Sequence, residues 1–295
     1  MPSSTLPKLP KASSAKPASA TSPSSKAAAN SPVRAGFGAL PHAKGVTFRV
    51  WAPAATAVSV VGTFNNWDKN ANPLQAEPDG NWAADLPLAK PGDGYKYVLQ
   101  TAKGELTRND PYARAVTNSS GHSLVFDPLD FDWEGDNFQM PAWNDLIIYE
   151  LHIGTFNVKE PGKPGTFLDV IERLDYLQGL GINCIEIMPA TEFPGAYSWG
   201  YNPSNPFALE SDYGGAEAFR QLVKAAHQHG IAVLLDVVYN HFGPATSICG
   251  SSTAGARTRG VAFIFITTGA PKRPGAKTAP TTAAPKCAAT SAIMP

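Results

Sequence analysis

Residues 229–244 read "HGIAVLLDVVYNHFGP". An unbroken apolar run of strand length follows a glycine stop, and it ends in a polar cluster. A run with no polar alternation is what a parallel strand covered on both faces requires. In folds built from such strands, ligand-binding groups gather just past the carboxyl ends. Asp236, Asn240 and His241 stand at that end.

The same pattern appears twice upstream. "LIIYEL" (146–151) and "INCIEIMP" (182–189) are short apolar runs, and "TFLDVIERLDYLQGLG" (166–181) and "GGAEAFRQLVKAAHQHG" (214–230) carry apolar residues at helical spacing before a glycine. This βαβαβ order predicts three parallel strands joined by helical crossovers. Three strands cannot close a barrel, so the expectation includes two open sheet edges and an uncovered apolar face.

Between residues 45 and 130 the period is two. "VTFRVWAP" (46–53), "AVSVVGTF" (57–64), "NWAADLP" (81–87) and "YKYVLQT" (95–101) alternate apolar and polar residues, with "PDG" and "PGDG" as turns. This predicts a small Ig-like β-sandwich over residues 36–130. The β/α portion then occupies 131–244.

The two ends are different in kind. Residues 1–35 hold five Lys/Arg and no acid, and residues 245–295 hold six and no acid, which leaves 13 bases against all 24 acids in the middle. The Ser/Ala/Pro/Lys-rich arm 1–35 is expected to be disordered, with an organelle transit peptide as the alternative. An acidic middle argues against a nucleic-acid surface, which needs clustered bases. No apolar run approaches the ~20 residues of a membrane span. Cys184, Cys249 and Cys287 lack metal or redox spacing, which favours a reducing, cytoplasmic location. Neither a metal nor a cofactor is expected.

Several residues carry possible chemistry. Asp236, Asn240 and His241 offer a carboxylate, an amide and an imidazole to sugar hydroxyls, or else satisfy their own strand end. In "SWGYNPSNPFA" (198–208), Trp199 and Tyr201 offer flat faces for a pyranose, or else anchor their loop. His152 reads as structural. Glu186 and Glu192 flank the second strand as candidate acids without visible partners. In the sandwich, Trp67 and Trp82 are candidate glucan contacts, with core or interdomain packing the preferred reading for both.

Together "LIIYELHIGTF", "LDYLQGLGINCIEIMPATEFP", "SWGYNPSNPFALESDYGG" and "HGIAVLLDVVYNHFGP" resemble the first three strand units of the α-amylase superfamily, glycoside hydrolase family 13. "VTFRVWAPAATAVSVVGTFNNWD" resembles carbohydrate-binding module family 48. The resemblance implies the start of a TIM (β/α)8 barrel behind a glucan-binding sandwich, and an α-glucan (glycogen or maltooligosaccharide) as partner. It implies that Tyr201 stacks on the sugar at the cleavage subsite, that His241 bonds its hydroxyls and that Asp236 supports the centre. Asn240 matches a position that binds calcium in many amylases, an ion that branching enzymes generally lack. The implied reaction is transfer of α-1,4-glucan segments by double displacement, as in a 1,4-α-glucan branching enzyme. Hydrolysis of malto-oligosyltrehalose is the alternative, and a non-catalytic glucan-binding module is the alternative of another class. A retaining enzyme uses two carboxyls about 5–5.5 Å apart. In this family they follow strands four and five, so no catalytic residue is assigned here.

The tail from 245 is expected to be disordered and out of frame. Back-translated and read from the third base, residues 265–283 permit "YNDWRAETPWGENRPDYG", an acidic, aromatic string like the family's continuation. A genuine linker is the alternative. Resequencing the gene across this stretch distinguishes the two.

Overall fold

The computed structural model describes residues 36–243 and the strand at 262–266. By compactness the chain divides after Val33, and all of these residues lie in the second unit, Arg34–Pro295. The assignments of the 1–35 arm and of most of 245–295 therefore fall outside the described residues.

The first eight strands make the sandwich. β1 (Gly38–His42), β2 (Gly45–Trp51), β4 (Gln75–Glu77) and β5 (Asn81–Leu86) form one antiparallel sheet in the order β1-β2-β5-β4. β3 (Ala55–Gly62), β6 (Gly94–Thr101) and β7 (Gly104–Arg108) form the other, with β8 (Ser123–Leu124) paired to β6. Alternation decides which residues face inward. Val46, Phe48 and Val50 from β2 meet Val58 and Val60 from β3, and Tyr95, Tyr97 and Leu99 from β6, in one buried cluster. Phe48 packs edge-on against Tyr95 at 5.0 Å between ring centres.

The two tyrosines keep their hydroxyls paired. Tyr95 donates to Asp110 Oδ2 at 2.7 Å and Tyr97 to the same oxygen at 3.5 Å, while the amide of Tyr112 donates to Asp110 Oδ1 at 2.8 Å. Burial nevertheless pushes the Asp110 carboxyl up to about 6. Tyr112 then stacks on Phe37 at 4.9 Å and on Phe207 at 5.6 Å, and Phe207 lies 5.9 Å from Tyr239. This aromatic row links the end of the sandwich to the strand mouths of the β/α portion.

In that portion β9 (Ile148–Leu151), β10 (Cys184–Ile187) and β13 (Ala232–Val238) are parallel, with β10 central. Between β9 and β10 the expected single helix is instead α1 (Ile153–Phe156), α2 (Phe167–Ile171) and α3 (Leu174–Gly179). Thr166 caps α2 by accepting from the Asp169 amide, and β-branched Val170 and Ile171 weaken its continuation. The amide of Arg173 then bonds Val170 O at 2.9 Å, a tight turn that separates α2 from α3. β11 (Thr191–Glu192) and β12 (Asn205–Leu209) form a small antiparallel pair, and α4 (Gly215–Gln228) returns the chain to β13.

Strand parity gives the three-stranded sheet two unlike faces. One carries Leu151, Ile185, Ile187 and Val233, which pack with α2, α3 and α4 through Val170, Leu177, Leu222 and their neighbours. Burial of each such side chain is worth roughly 1.5–3 kcal/mol. The register Glu150↔Glu186↔Leu234 puts Glu150, Glu186 and Asp236 on the opposite face. Lower on that face, Cys184, Ala232 and Leu234 are covered by Phe138, Met140 and Leu146. The expected uncovered apolar face is thus not what the sheet presents. The chain entering β9 covers its apolar lower half, and its upper half is carboxylate-bearing.

Among the described residues no strand pairs with β9 on its outer edge, and Ile148 is 46% exposed. The other edge is occupied. β14 (Ala262–Ile266), within the stretch expected to lack structure, pairs antiparallel with β13 from Leu234↔Ile266 to Val238↔Ala262. An apolar five-residue segment of strand-forming residues satisfies the backbone groups that an edge leaves unpaired.

Candidate functional site

Three chain segments leave the parallel sheet at its carboxyl edge: His152 after β9, the long loop after β10, and Tyr239–Gly243 after β13. The loop crosses the other two, and its path is set by backbone. Gly200 has φ +82°, and a Cβ there would stand 1.7 Å from Pro189 O, so only glycine fits. His152 Nε2 donates to Ser198 O at 2.8 Å, and His241 Nε2 donates to Tyr201 O at 2.6 Å. The amide of Gly243 donates to Pro203 O at 2.7 Å. Three loop carbonyls are therefore held from the exits of β9 and β13.

The candidate residues divide accordingly. Tyr201 and Asp236 meet directly, the tyrosine hydroxyl donating to Asp236 Oδ2 at 3.0 Å. Desolvation, with that bond and the nearby carboxylates, pushes the Tyr201 phenol up to about 12. Asp236 Oδ1 is buried without a hydrogen-bond partner among the described residues. His241 joins them through the backbone of Tyr201. Asn240 is half-buried beside it, and Trp199 is 73% exposed on the same loop. Glu186 lies on the same sheet face, its carboxyl raised by burial and by the charges of Glu150 and Asp236.

His152 has a structural part, as read. Its Nδ1 takes the Thr155 hydroxyl at 3.0 Å, and the Tyr213 hydroxyl lies 3.1 Å from Nε2. Glu192 is not in contact with Tyr201 or Asp236; its carboxylate accepts from the Ser211 amide. It is buried at the base of the loop against Glu210, a residue that sequence reasoning passed over because its only signal is a polar position ending an apolar strand. In the sandwich, Trp82 packs on the core and donates from its indole to Ala52 O at 3.1 Å. Trp67 departs from the packing reading, since it is 40% exposed, with φ +61° and an edge contact to His122 at 5.2 Å.

Two families match this chain. Residues 36–113 match "Carbohydrate-binding module 48 (Isoamylase N-terminal domain)" and residues 117–284 match "Alpha amylase, catalytic domain". The second match runs through the stretch read above as out of frame. A malto-oligosyltrehalose trehalohydrolase of Saccharolobus solfataricus is 40% identical over 209 residues, 70% of this chain and 35% of the relative. A 1,4-alpha-glucan branching enzyme GlgB of Pseudomonas putida is 42% identical over 225 residues, 70% of this chain and 31% of the relative. The chain thus spans about a third of the length of the curated relatives it matches. Among solved structures, a putative alpha amylase from Salmonella typhimurium superposes with a TM-score of 0.63 at 35% identity, covering 72% of this chain and 34% of that one.

Proposed function

Because the chain belongs to the α-amylase family and carries a carbohydrate-binding module 48 domain ahead of the catalytic one, we propose that it acts on α-glucan as part of a branching-type glucanotransferase. One observation carries this reading: Tyr201, Asp236 and His241 converge at the mouths of the parallel strands, with Trp199 exposed on the same loop. The Tyr201 ring is a stacking face for a pyranose. Asp236, Asn240 and His241 supply acceptors and donors for its hydroxyls. Residues 36–130 serve as the glucan-binding sandwich and 131–244 as the first three units of the barrel, flanked by the arm 1–35 and the tail 245–295. Of the two sandwich tryptophans, the more exposed Trp67 is the glucan contact in this reading, and Trp82 is a packing residue.

Transfer by double displacement needs two carboxyls about 5–5.5 Å apart, one nucleophile and one acid/base. Family resemblance places them after strands four and five, beyond the units read here, so these residues bind and orient the chain without supplying the bond-breaking groups. The partner is glycogen or a maltooligosaccharide, and the place is the cytoplasm.

Two measurements test the reading. Maltoheptaose should bind the chain saturably by calorimetry, and Tyr201→Ala should weaken that binding by about tenfold or more, roughly 1.4 kcal/mol. Binding indifferent to Tyr201 would remove the strand mouths from the site. The 40% identity to a trehalohydrolase supports a second reading, hydrolysis of malto-oligosyltrehalose. In a protein that joins these units to strands four and five with their carboxyls, new α-1,6 branches in amylose favour the first, and trehalose release favours the second. Saturable binding that is lost in Trp67→Ala and kept in Tyr201→Ala would support the non-catalytic binding module.

A further inference from the structure

The base of the β10–β13 loop holds two buried acids that take no part in sugar contact. Glu192 closes β11 and Glu210 follows β12, and each is only 1% exposed. Their carboxylates cross over. Glu210 Oε2 accepts from the Phe193 amide at 3.0 Å, at the start of the loop, and its Oε1 accepts from the Asp212 amide at 3.1 Å. Glu192 Oε2 accepts from the Ser211 amide at 2.9 Å, just past Glu210. Each acid thus fastens the backbone next to the other. The carbonyls take part as well, with the Ser204 amide on Glu192 O at 2.7 Å and the Glu210 amide on Ala190 O at 2.9 Å.

Nothing offsets the two charges. Among the described residues, neither glutamate forms an ion pair with Lys, Arg or His. The charged or titratable groups turned toward them are Asp212 and Tyr213, while His152 reaches the cluster through the Tyr213 hydroxyl. Two carboxylates and a third nearby, in a dry site with backbone amides and the Ser211 hydroxyl as donors, cannot all ionise without a large cost.

We propose that Glu192 and Glu210 are positioning residues for the glucan site: they form a proton-holding clasp that fixes the loop presenting Trp199 and Tyr201. The relevance to glucan rests on the function proposed above, whereas the clasp itself does not. Burial pushes Glu192 up to about 7, and burial together with Glu192 pushes Glu210 up to about 8. With both folded values above the ordinary carboxyl value, the clasp is strongest at acid pH. It weakens as pH rises from about 4.5, most steeply up to about 7 and less steeply to about 8, and is level above that.

Hydrogen exchange on the full chain between pH 5 and 9, corrected for the intrinsic pH dependence of exchange, reads this directly. Protection of the amides of Phe193, Ser204, Ser211 and Asp212 should fall from pH 5 onward, by about tenfold between pH 7 and 8, and flatten above 8, while β2 and β6 hold constant above pH 7. In Glu210→Gln the fall between pH 7 and 8 should disappear. Wild-type protection independent of pH would overturn the clasp, as would a Glu210→Gln profile superposable on wild type. The wild-type profile stands alone if the variant does not fold. Maltoheptaose affinity is followed over the same range. A weakening parallel to the exchange supports the positioning role, and an affinity flat with pH while protection falls refutes it. If the clasp titrates but no glucan binds at any pH, the site assignment fails and the clasp survives only as a fastening of the loop.

Discussion

The sandwich and the three-stranded β/α sheet solve the same problem differently. In the sandwich each sheet has a partner sheet, and the inward residues of β2, β3 and β6 meet in one buried cluster. The parallel sheet has a full partner on one face only, where α2, α3 and α4 cover Leu151, Ile185, Ile187 and Val233. Its other face is apolar at the bottom, where Phe138 and Met140 cover it, and carboxylate-bearing at the top. The difference teaches where function can lie. A face that must be dry on both sides has no room for a ligand, whereas the half-covered face places Asp236 under the Tyr201 hydroxyl.

Four experiments test this contrast, in descending order of effect. Phe48→Ala empties the centre of the sandwich and removes its contacts to Tyr95 and Phe64. It should cost about 3–5 kcal/mol in denaturant unfolding. Exchange protection in β10 and β13 should survive if the two regions hold themselves up separately, and joint loss would break the contrast.

The second uses pH. Asp110 is raised from 3.8 to about 6 by burial, so its protonated form is favoured in the fold. Its contribution is complete below about pH 4 and is lost as pH rises to about 6, at up to about 1.4 kcal/mol per pH unit. Thermal melts of wild type should show that decline, and Asp110→Asn should flatten it.

Gly200→Ala tests the loop. The positive φ alone costs about 1–3 kcal/mol, and Pro189 O leaves no space for the methyl group. The variant should lose exchange protection over 198–203 and keep the sandwich melt unchanged. Smallest of the four, Tyr201→Phe removes one hydrogen bond to Asp236 and should cost about 0.5–1.5 kcal/mol in stability. It should keep more maltoheptaose affinity than Tyr201→Ala, because the ring face remains.

The strands were legible because their periods differ. Alternation in "VTFRVW" and the unbroken run in "AVLLDVV" read directly as half-buried and buried strands, whereas "LIIYEL", read as covered on both faces, is an edge strand with Ile148, Tyr149 and Glu150 exposed. The break between α2 and α3 was hidden, since Val170, Ile171 and Leu174 keep helical spacing across it and the tight turn at Arg173 leaves no composition signal. Among site residues, Tyr201 and Asp236 announced themselves by type and by place at a strand mouth. Glu210 did not, because its importance comes from Glu192, eighteen positions earlier, folding back against it. Trp67 is the less clear case: large aromatics usually fill sandwich cores, and this one, with φ +61°, packs edge-on against His122 while keeping 40% of its surface exposed.

The loop over the strand mouths is fastened by its carbonyls. Ser198, Tyr201 and Pro203 offer main-chain oxygens to His152, to His241 and to the amide of Gly243. A carbonyl is the same in every residue, so this attachment is blind to the side chains it carries. Tyr197 and Trp199, both largely exposed, can be exchanged for other residues without disturbing the mount. The loop works as an interchangeable tool holder, in which descent can revise what is gripped while leaving untouched how the grip is held.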